Sequence, residues 1–405
     1  MLQFNRLLQG SLAALFLVCA SAASAAPQDV FEPNDSCGAA SLIPLGTQTN
    51  LTAGPDDDYY TVRIEDNSEI VAVALDSTGD PLSIQLLEAG CGTTIATGIN
   101  APVRYFDCGG VSRDVVIFVP GIGLTDEPYS LTVASNEVVD DPLEDNDSCS
   151  SGALVAIQSF TTPDLVVTAC DEDFFVARLQ TSGVELQVDV VFSQVRGDVD
   201  LELWDLGCNN LLASSTSSTP NESLRYVNNT SPSIPEAVVI RVFMKNGEGN
   251  NRYALTACFA DTNLPSVGVQ SCAGLVNSTG RPGTLCARGS DFATDNNLLL
   301  YAVDIPSGSA GYFITSPAAG FTANPAGSLG NLCLDLPGRY SFAPQFTGTA
   351  NAVFYQPDLA NTPVAGGGFA PVNAGTRQFW QYWYRDSVGG VAVSNFSSAL
   401  CVDFR

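Results

Sequence analysis

The sequence predicts an all-β protein: two antiparallel β-sandwiches in tandem, followed by a third β-sandwich-like domain. Three observations carry this prediction. Apolar Val184, Leu186, Val188 and Val190 alternate with Glu185, Gln187 and Asp189 at the period of a strand. Short strand-like runs are separated by Gly, Asn, Asp and Pro turns, with no long helical period. One unit also occurs twice, over 29–135 and 141–260, with its parts in the same order.

Taken from the start, residues 1–25 read as a secretory signal peptide. Arg6 supplies the positive end, Leu12 to Val18 the apolar stretch and Ala23-Ser24-Ala25 the small-residue cleavage site. That run is shorter than the roughly 20 apolar residues of a membrane anchor, and no later stretch predicts a membrane span. The expectation is a secreted or cell-surface protein in an oxidising compartment.

Within the repeat, Phe31-Glu32-Pro33-Asn34-Asp35-Ser36-Cys37 matches Leu143-Glu144-Asp145-Asn146-Asp147-Ser148-Cys149. Asp56-Asp57-Asp58-Tyr59-Tyr60 matches Asp171-Glu172-Asp173-Phe174-Phe175, and Leu86-Leu87-Glu88-Ala89-Gly90-Cys91 matches Leu203-Trp204-Asp205-Leu206-Gly207-Cys208. Tyr129-Ser130-Leu131-Thr132 matches Tyr253-Ala254-Leu255-Thr256. Val115 to Val119 and Val238 to Phe243 are continuously apolar, as strands covered on both faces would be.

From Ser271 the composition shifts to Gly, Ala, Pro and Asn, with Asn263-Leu264-Pro265 as the boundary of a third β module over 266–405. Leu298 to Val303, Tyr312 to Thr315, Ala352 to Tyr355 and Phe379 to Tyr384 read as strands. The last carries Phe379 and Trp383 on one face and Trp380, Tyr382 and Tyr384 on the other. A central strand buried on both sides is the preferred reading over an aromatic platform for sugar rings.

Composition narrows the chemistry. The 405 residues hold 16 basic and 43 acidic side chains, a net charge of −27 that becomes −28 without Arg6. Hydrophobic residues at 45% make this a core-forming chain rather than a disordered acidic tail. That charge predicts no nucleic-acid partner and disfavours an anionic membrane surface. The absence of histidine removes Ser-His-Asp and Cys-His catalysis and every His-ligated metal site. The single lysine, Lys245, sits in the turn Lys245-Asn246-Gly247-Glu248-Gly249, where a solvated amine is ill suited to catalysis. Hard cations remain, because carboxylates are their ligands.

Each copy opens with Glu, Asn and Asp at i, i+2 and i+3, then places two Asp at i, i+2 before a strand, where alternate residues share a face. If the opening folds over that strand end, five oxygen-bearing side chains converge, and backbone carbonyls and water complete a calcium site. The competing reading is solvated loop charge, since 137–147 holds six acids as a repelling interdomain spacer would.

The repeated motifs, with Gly197-Asp198-Val199-Asp200-Leu201-Glu202-Leu203, resemble the bacterial pre-peptidase C-terminal (PPC) domain. Copy one departs from that pattern at Pro81-Leu82-Ser83-Ile84. The resemblance implies a secreted, jelly-roll-like β-sandwich that binds calcium in some members and substrate in collagenases. It implies metal ligands at Glu32, Asn34, Asp35, Asp56 and Asp58 in copy one, and at Glu144, Asn146, Asp147, Asp171 and Asp173 in copy two. The third module resembles an uncharacterised C-terminal module of secreted planctomycete-type proteins through Val276-Asn277-Ser278-Thr279-Gly280, Gly311-Tyr312-Phe313-Ile314 and Phe379-Trp380-Gln381-Tyr382-Trp383. That likeness implies export and β structure, with no activity.

Twelve cysteines become eleven once Cys19 leaves with the leader, an odd number. The repeat suggests Cys149–Cys170, whose copy-one counterpart is lost to Pro55, and Cys91–Cys108 as a local staple. Cys37 is then the odd thiol, buried and inert or available for a covalent dimer. Cys208–Cys258, Cys272–Cys333 and Cys286–Cys401 complete the expected pairs. The sequence thus predicts a non-catalytic extracellular binding or scaffolding protein that contacts glycan or protein and is stabilised by calcium. The alternatives are a structural cell-surface or matrix component without a specific ligand, and a carboxylate-dependent glycoside hydrolase.

Overall fold

The computed structural model describes residues 29–405, apart from 55, 122–126, 155–158, 180–182, 230–235, 246–248, 262, 336–339, 348–350 and 365–366. The expected signal peptide therefore lies outside the described residues. Among those described, no helix is long and apolar enough to cross a membrane.

The fold is all-β. The first repeat supplies β1 (Ser41–Leu42), β2 (Gly46–Ala53), β3 (Asp58–Ile64), β4 (Ser68–Asp76), β5 (Ile84–Glu88), β6 (Thr94–Gly98), β7 (Val103–Phe106), β8 (Arg113–Val119) and β9 (Glu127–Glu137). They form sheets of order β1-β3-β8-β5-β6 and β2-β9-β4-β7. The second repeat supplies β10 (Ala153–Leu154), β11 (Phe160–Thr168), β12 (Asp173–Leu179), β13 (Val184–Phe192), β14 (Val199–Asp205), β15 (Leu211–Ser215), β16 (Asn221–Val227), β17 (Glu236–Met244) and β18 (Asn250–Asp261). Their orders, β10-β12-β17-β14-β15 and β11-β18-β13-β16, are the first pair advanced by nine strands. The continuously apolar runs of β8 and β17 are the central strands of their five-stranded sheets, as their patterning predicts. In the second repeat, Phe175, Leu186, Val188, Leu201, Ile240 and Leu255 join the two sheets in one core.

The chain divides into two compact units. Of the described residues, one holds those from Asp29 to Val62 with Ala72–Val103 and Asp114–Val133; the other holds Arg63–Val71, Arg104–Arg113 and Ala134–Arg405. In the second unit, the C-terminal strands are β19 (Val269–Cys272), β20 (Thr284–Gly289), β21 (Leu298–Val303), β22 (Ala310–Ser316), β23 (Ala319–Thr322), β24 (Leu332–Leu334), β25 (Tyr340–Ser341), β26 (Gln345–Phe346), β27 (Val353–Tyr355), β28 (Thr362–Pro363), β29 (Phe369–Ala370), β30 (Arg377–Val388) and β31 (Val391–Asp403). The main sheet runs β19-β31-β30-β22-β25, and β20-β21-β27 forms a smaller one. Trp380, Tyr382 and Tyr384 of β30 are fully buried between these layers with Leu300, Phe313 and Val402.

The second repeat and the C-terminal strands are packed together. Gln187 donates to Gly268 O at 2.8 Å, Ser266 N donates to Glu185 at 2.8 Å, and Tyr301 OH donates to Phe259 O at 2.9 Å. Glu185, Gln187 and Asp189, the polar face of β13, are therefore buried rather than solvated. Chain 266–270 lies across them and supplies partners to Glu185 and Gln187, while Asp189 accepts from Gln187.

The disulfides correct most of the expected map. Cys37 pairs with Cys91 and Cys149 with Cys208, at Cα separations of 6.1 and 6.2 Å. These are equivalent pairs in the two copies, each joining the opening turn to the turn after β5 or β14. Cys37 is therefore an intramolecular partner and gives no covalent dimer. Cys108, on the 104–113 segment of the second unit, pairs with Cys170, replacing the expected Cys91–Cys108 and Cys149–Cys170. Cys258 bonds Cys286 rather than Cys208, while Cys272–Cys333 forms as expected. Among the described residues the free thiol is Cys401, buried on β31, where burial pushes it up to about 11.

Candidate metal centre

The opening of each repeat runs beside the strand that follows it. Tyr59 N donates to Asn34 O at 3.0 Å, and Phe174 N to Asn146 O at 3.0 Å. The Glu folds back on the turn: Glu32 Oε2 accepts Asn34 N at 2.9 Å, and Glu144 Oε2 accepts Asn146 N at 2.8 Å. This is the local turn chemistry that Asn, Asp and Glu offer the backbone.

In the first unit, carboxylate oxygens of Glu32, Asp35 and Asp56 lie within 4.8 Å of one another. Asn34 and Asp58 are buried beneath them, at 0% and 1% exposure. With its amide oriented to donate, Asn34 Nδ2 reaches Glu32 Oε2 at 3.0 Å and Asp58 Oδ1 at 3.2 Å. Asp58 Oδ2 also accepts Tyr129 OH at 2.7 Å. Burial pushes Glu32 up to about 7, with Asp35 adding to the rise. Burial likewise holds Asp58 at about 7.

In the second unit, Glu144 belongs to two such groups, one with Asp140 and Asp171, the other with Asp141 and Asp173. Asn146 and Asp173 are both 0% exposed. Tyr253 OH donates to Asp173 Oδ2, repeating the Tyr129–Asp58 contact. Asn146 Oδ1 and Nδ2, Glu144 Oε1, Asp171 Oδ1 and Asp173 Oδ1 are buried with no hydrogen-bond partner among the described residues. Burial, then the charges of Asp140, Glu144 and Asp147, push Asp171 up to about 8. Glu144 reaches about 7 and Asp173 about 10, burial leading in both. Asp147 stands at the exposed rim and raises Glu144 through a side-chain hydrogen bond and Asp171 through its charge.

The structure thus gathers the predicted acids of each copy at one place and sorts them by depth. It also adds residues that the spacing argument missed. Asp141 accepts Leu143 N at 2.8 Å and Val166 N at 3.0 Å, and Asp29 accepts Phe31 N at 2.8 Å and Thr52 N at 3.1 Å. Their signal was present, since the opening match extends two residues upstream to Asp29 and Asp141. Tyr129 and Tyr253 were visible too, as the first residues of the closing matched strand.

Clustered carboxylates at a part-buried opening, in the second unit with several oxygens that meet no donor, fit a hard divalent cation by charge and ligand type. Glu144, Asn146, Asp171 and Asp173 would hold it in the second unit, and Glu32, Asp35 and Asp56 in the first. The Asp198, Asp200 and Glu222 group differs. Lys245 Nζ lies 3.0 Å from Asp198, so that group already holds its cation. Lys245 is ion-paired rather than a free turn amine, and its bond to Asp198 raises its pKa.

No protein-family model matches the chain, and no curated protein matches it. Among solved structures it is similar to the pre-peptidase C-terminal domain of collagenase from Bacillus anthracis. That match has 10% identity and a TM-score of 0.21, covering 30% of this chain and 99% of that one. It is also similar to the CUB1-EGF-CUB2 domain of human MASP-1/3, at 10% identity and a TM-score of 0.16, covering 53% and 99%. The Sulfolobus turreted icosahedral virus structure matches at 8% identity and a TM-score of 0.16, covering 87% and 85%.

Proposed function

We propose that this chain is an extracellular, non-catalytic binding or scaffolding protein whose two PPC-like sandwiches are closed at their openings by calcium. The observation that carries the reading is the pair of equivalent acidic openings, the second with four buried oxygens that no donor meets. Left empty, such a cluster disfavours folding or forces its acids to keep protons. A calcium ion would supply the missing positive charge and tie the opening turn to the strand ends of β11 and β12.

The burial of Asp58 and Asp173 supports a structural role over catalysis, because a polysaccharide cannot reach a carboxylate beneath its own loop. Five disulfides fit an oxidising location.

Calorimetric titration of the mature protein with calcium chloride, paired with thermal melts in calcium and in chelator, tests the reading. The expected result is a binding heat and a raised melting temperature, equivalent to about 2.7 kcal/mol at a hundredfold excess over Kd. Glu144→Gln combined with Asp171→Asn should remove the response of the second site, and Glu32→Gln that of the first. No heat and superimposable melts would leave the acids as protonated or surface groups and overturn the proposal.

A further inference from the structure

The main C-terminal sheet buries one face and leaves part of the other open. Tyr312 of β22, Trp383 of β30 and Phe396 of β31 are cross-strand neighbours in one row on that outer face. The Tyr312 and Trp383 ring centroids lie 5.6 Å apart at a 32° tilt, and both rings are half-exposed. Arg385, one step along β30, sets its guanidinium 5.1 Å from the Trp383 centroid. Together with Ser341, Ser394 and the Pro325-Ala326 turn, these residues line an open pocket of about 640 Å³, within the size range of small-ligand sites. Ala326 holds a positive φ of 52°, a conformation a non-glycine residue keeps only where its surroundings impose it.

Arg385 is singled out by its place rather than by its lack of an ion pair, since Arg178, Arg196, Arg252 and Arg281 also meet no carboxylate within ion-pair distance among the described residues, whereas Arg104, Arg113, Arg241, Arg377 and Arg405 do. Arg385 forms no ion pair among the described residues and is the one charged side chain lining the pocket. A half-exposed Trp and Tyr offer flat apolar surface to the C–H face of a pyranose ring. An unpaired guanidinium at the ring's edge offers a forked donor to a carboxylate. The hydroxyls of Ser341 and Ser394 can bond sugar hydroxyls. The distant negative charge of the chain is screened beyond about 8 Å at physiological salt.

We propose that this pocket binds a uronate residue of an extracellular polysaccharide, its ring on Trp383 and Tyr312 and its carboxylate on Arg385. The inference goes beyond the calcium reading and stands apart from it, since the pocket contains none of the acids of the openings.

The test uses the full mature protein with short oligouronates (alginate and polygalacturonate fragments) against neutral glucan oligomers of the same length. Binding is read by quenching of tryptophan fluorescence and by calorimetry, in fixed calcium and again in chelator. Oligouronates should bind at least tenfold more tightly than neutral oligomers, in both buffers. Arg385→Gln, at an exposed position that leaves the core intact, should remove that preference. Trp383→Ala, with an unchanged far-UV spectrum, should abolish binding of both. Equal binding of acidic and neutral oligomers, or uronate binding unaltered by Arg385→Gln, would overturn the assignment. So would the absence of binding to any of them. Loss of binding in chelator alone would show calcium bridging and equally overturn it, whereas loss of the calcium response alone would touch only the earlier proposal.

Discussion

Asp189 shows how one residue's environment sets a measurable property of the whole chain. On β13 it is buried, accepting Gln187 Nε2 at 2.8 Å, and burial pushes it up to about 6 against the pull of Ser223, Gln187 and the Arg225 charge. Since its folded pKa lies above the ordinary 3.8, the native state holds the proton more tightly than the unfolded chain. Its contribution is therefore largest below about pH 4 and is lost as pH rises to about 6, by roughly 3 kcal/mol. Asp189→Asn should make the fall in stability between pH 4 and 6 shallower by roughly 3 kcal/mol, as read from urea midpoints at fixed calcium, with the raised acids of the openings supplying the remaining slope. A slope equal to that of the parent would show that other groups set it. The same scale explains the disulfide correction. Cys37, Cys91, Cys149 and Cys208 all stood in matched motifs, so the equivalent pairs were legible as a symmetry. Cys170 and Cys108 were not, because they sit in loops that nothing but the folded chain brings together.

Strand β30 carries the lesson at the scale of elements. Its alternation predicts two aromatic faces and a strand buried on both sides, which holds for only one of them, since Trp383 on the other is half-exposed. The structure buries Trp380, Tyr382 and Tyr384 completely, against β21, β27 and β31, and leaves Trp383 at the open pocket. Trp380→Ala should lower stability by about 3–5 kcal/mol, the usual range for emptying a core tryptophan site. Trp383→Ala should lower it by much less, so comparing their denaturant midpoints checks the face assignment. Comparable losses would mean that both rings are core. The period of two was also right for β13, yet its polar face is not solvated. Alternation fixes which residues share a face, whereas a neighbouring segment decides whether that face meets water.

For the molecule as a whole, the C-terminal strands are bound into the second unit rather than hung from a linker. Thr284 Oγ1 donates to Thr161 Oγ1 at 2.8 Å, and Cys258–Cys286 closes a loop of 28 residues beside buried Tyr301. In the chain-entropy account, that loop contributes about 3–4 kcal/mol. The double variant Cys258→Ala/Cys286→Ala should lower the melting temperature of the second unit and open 262–268 to protease. An unaltered melt and digestion pattern would show that the hydrogen bonds hold the segment without the covalent tie.

What the sequence determined by itself was whatever depends on local order. The β class, the duplicated unit, the central strands and the acids of each opening all follow from period, turn residues and repetition. Tertiary structure decided what depends on residues far apart in the chain. It drew Asp29, Asp141, Tyr129 and Tyr253 to the openings, placed the thiol at Cys401, covered the polar face of β13 and set Arg385 at the open pocket with no ion pair among the described residues. Backbone geometry fixes the direction of a side chain within its strand, but burial and charge pairing come from surfaces that meet only when distant segments pack.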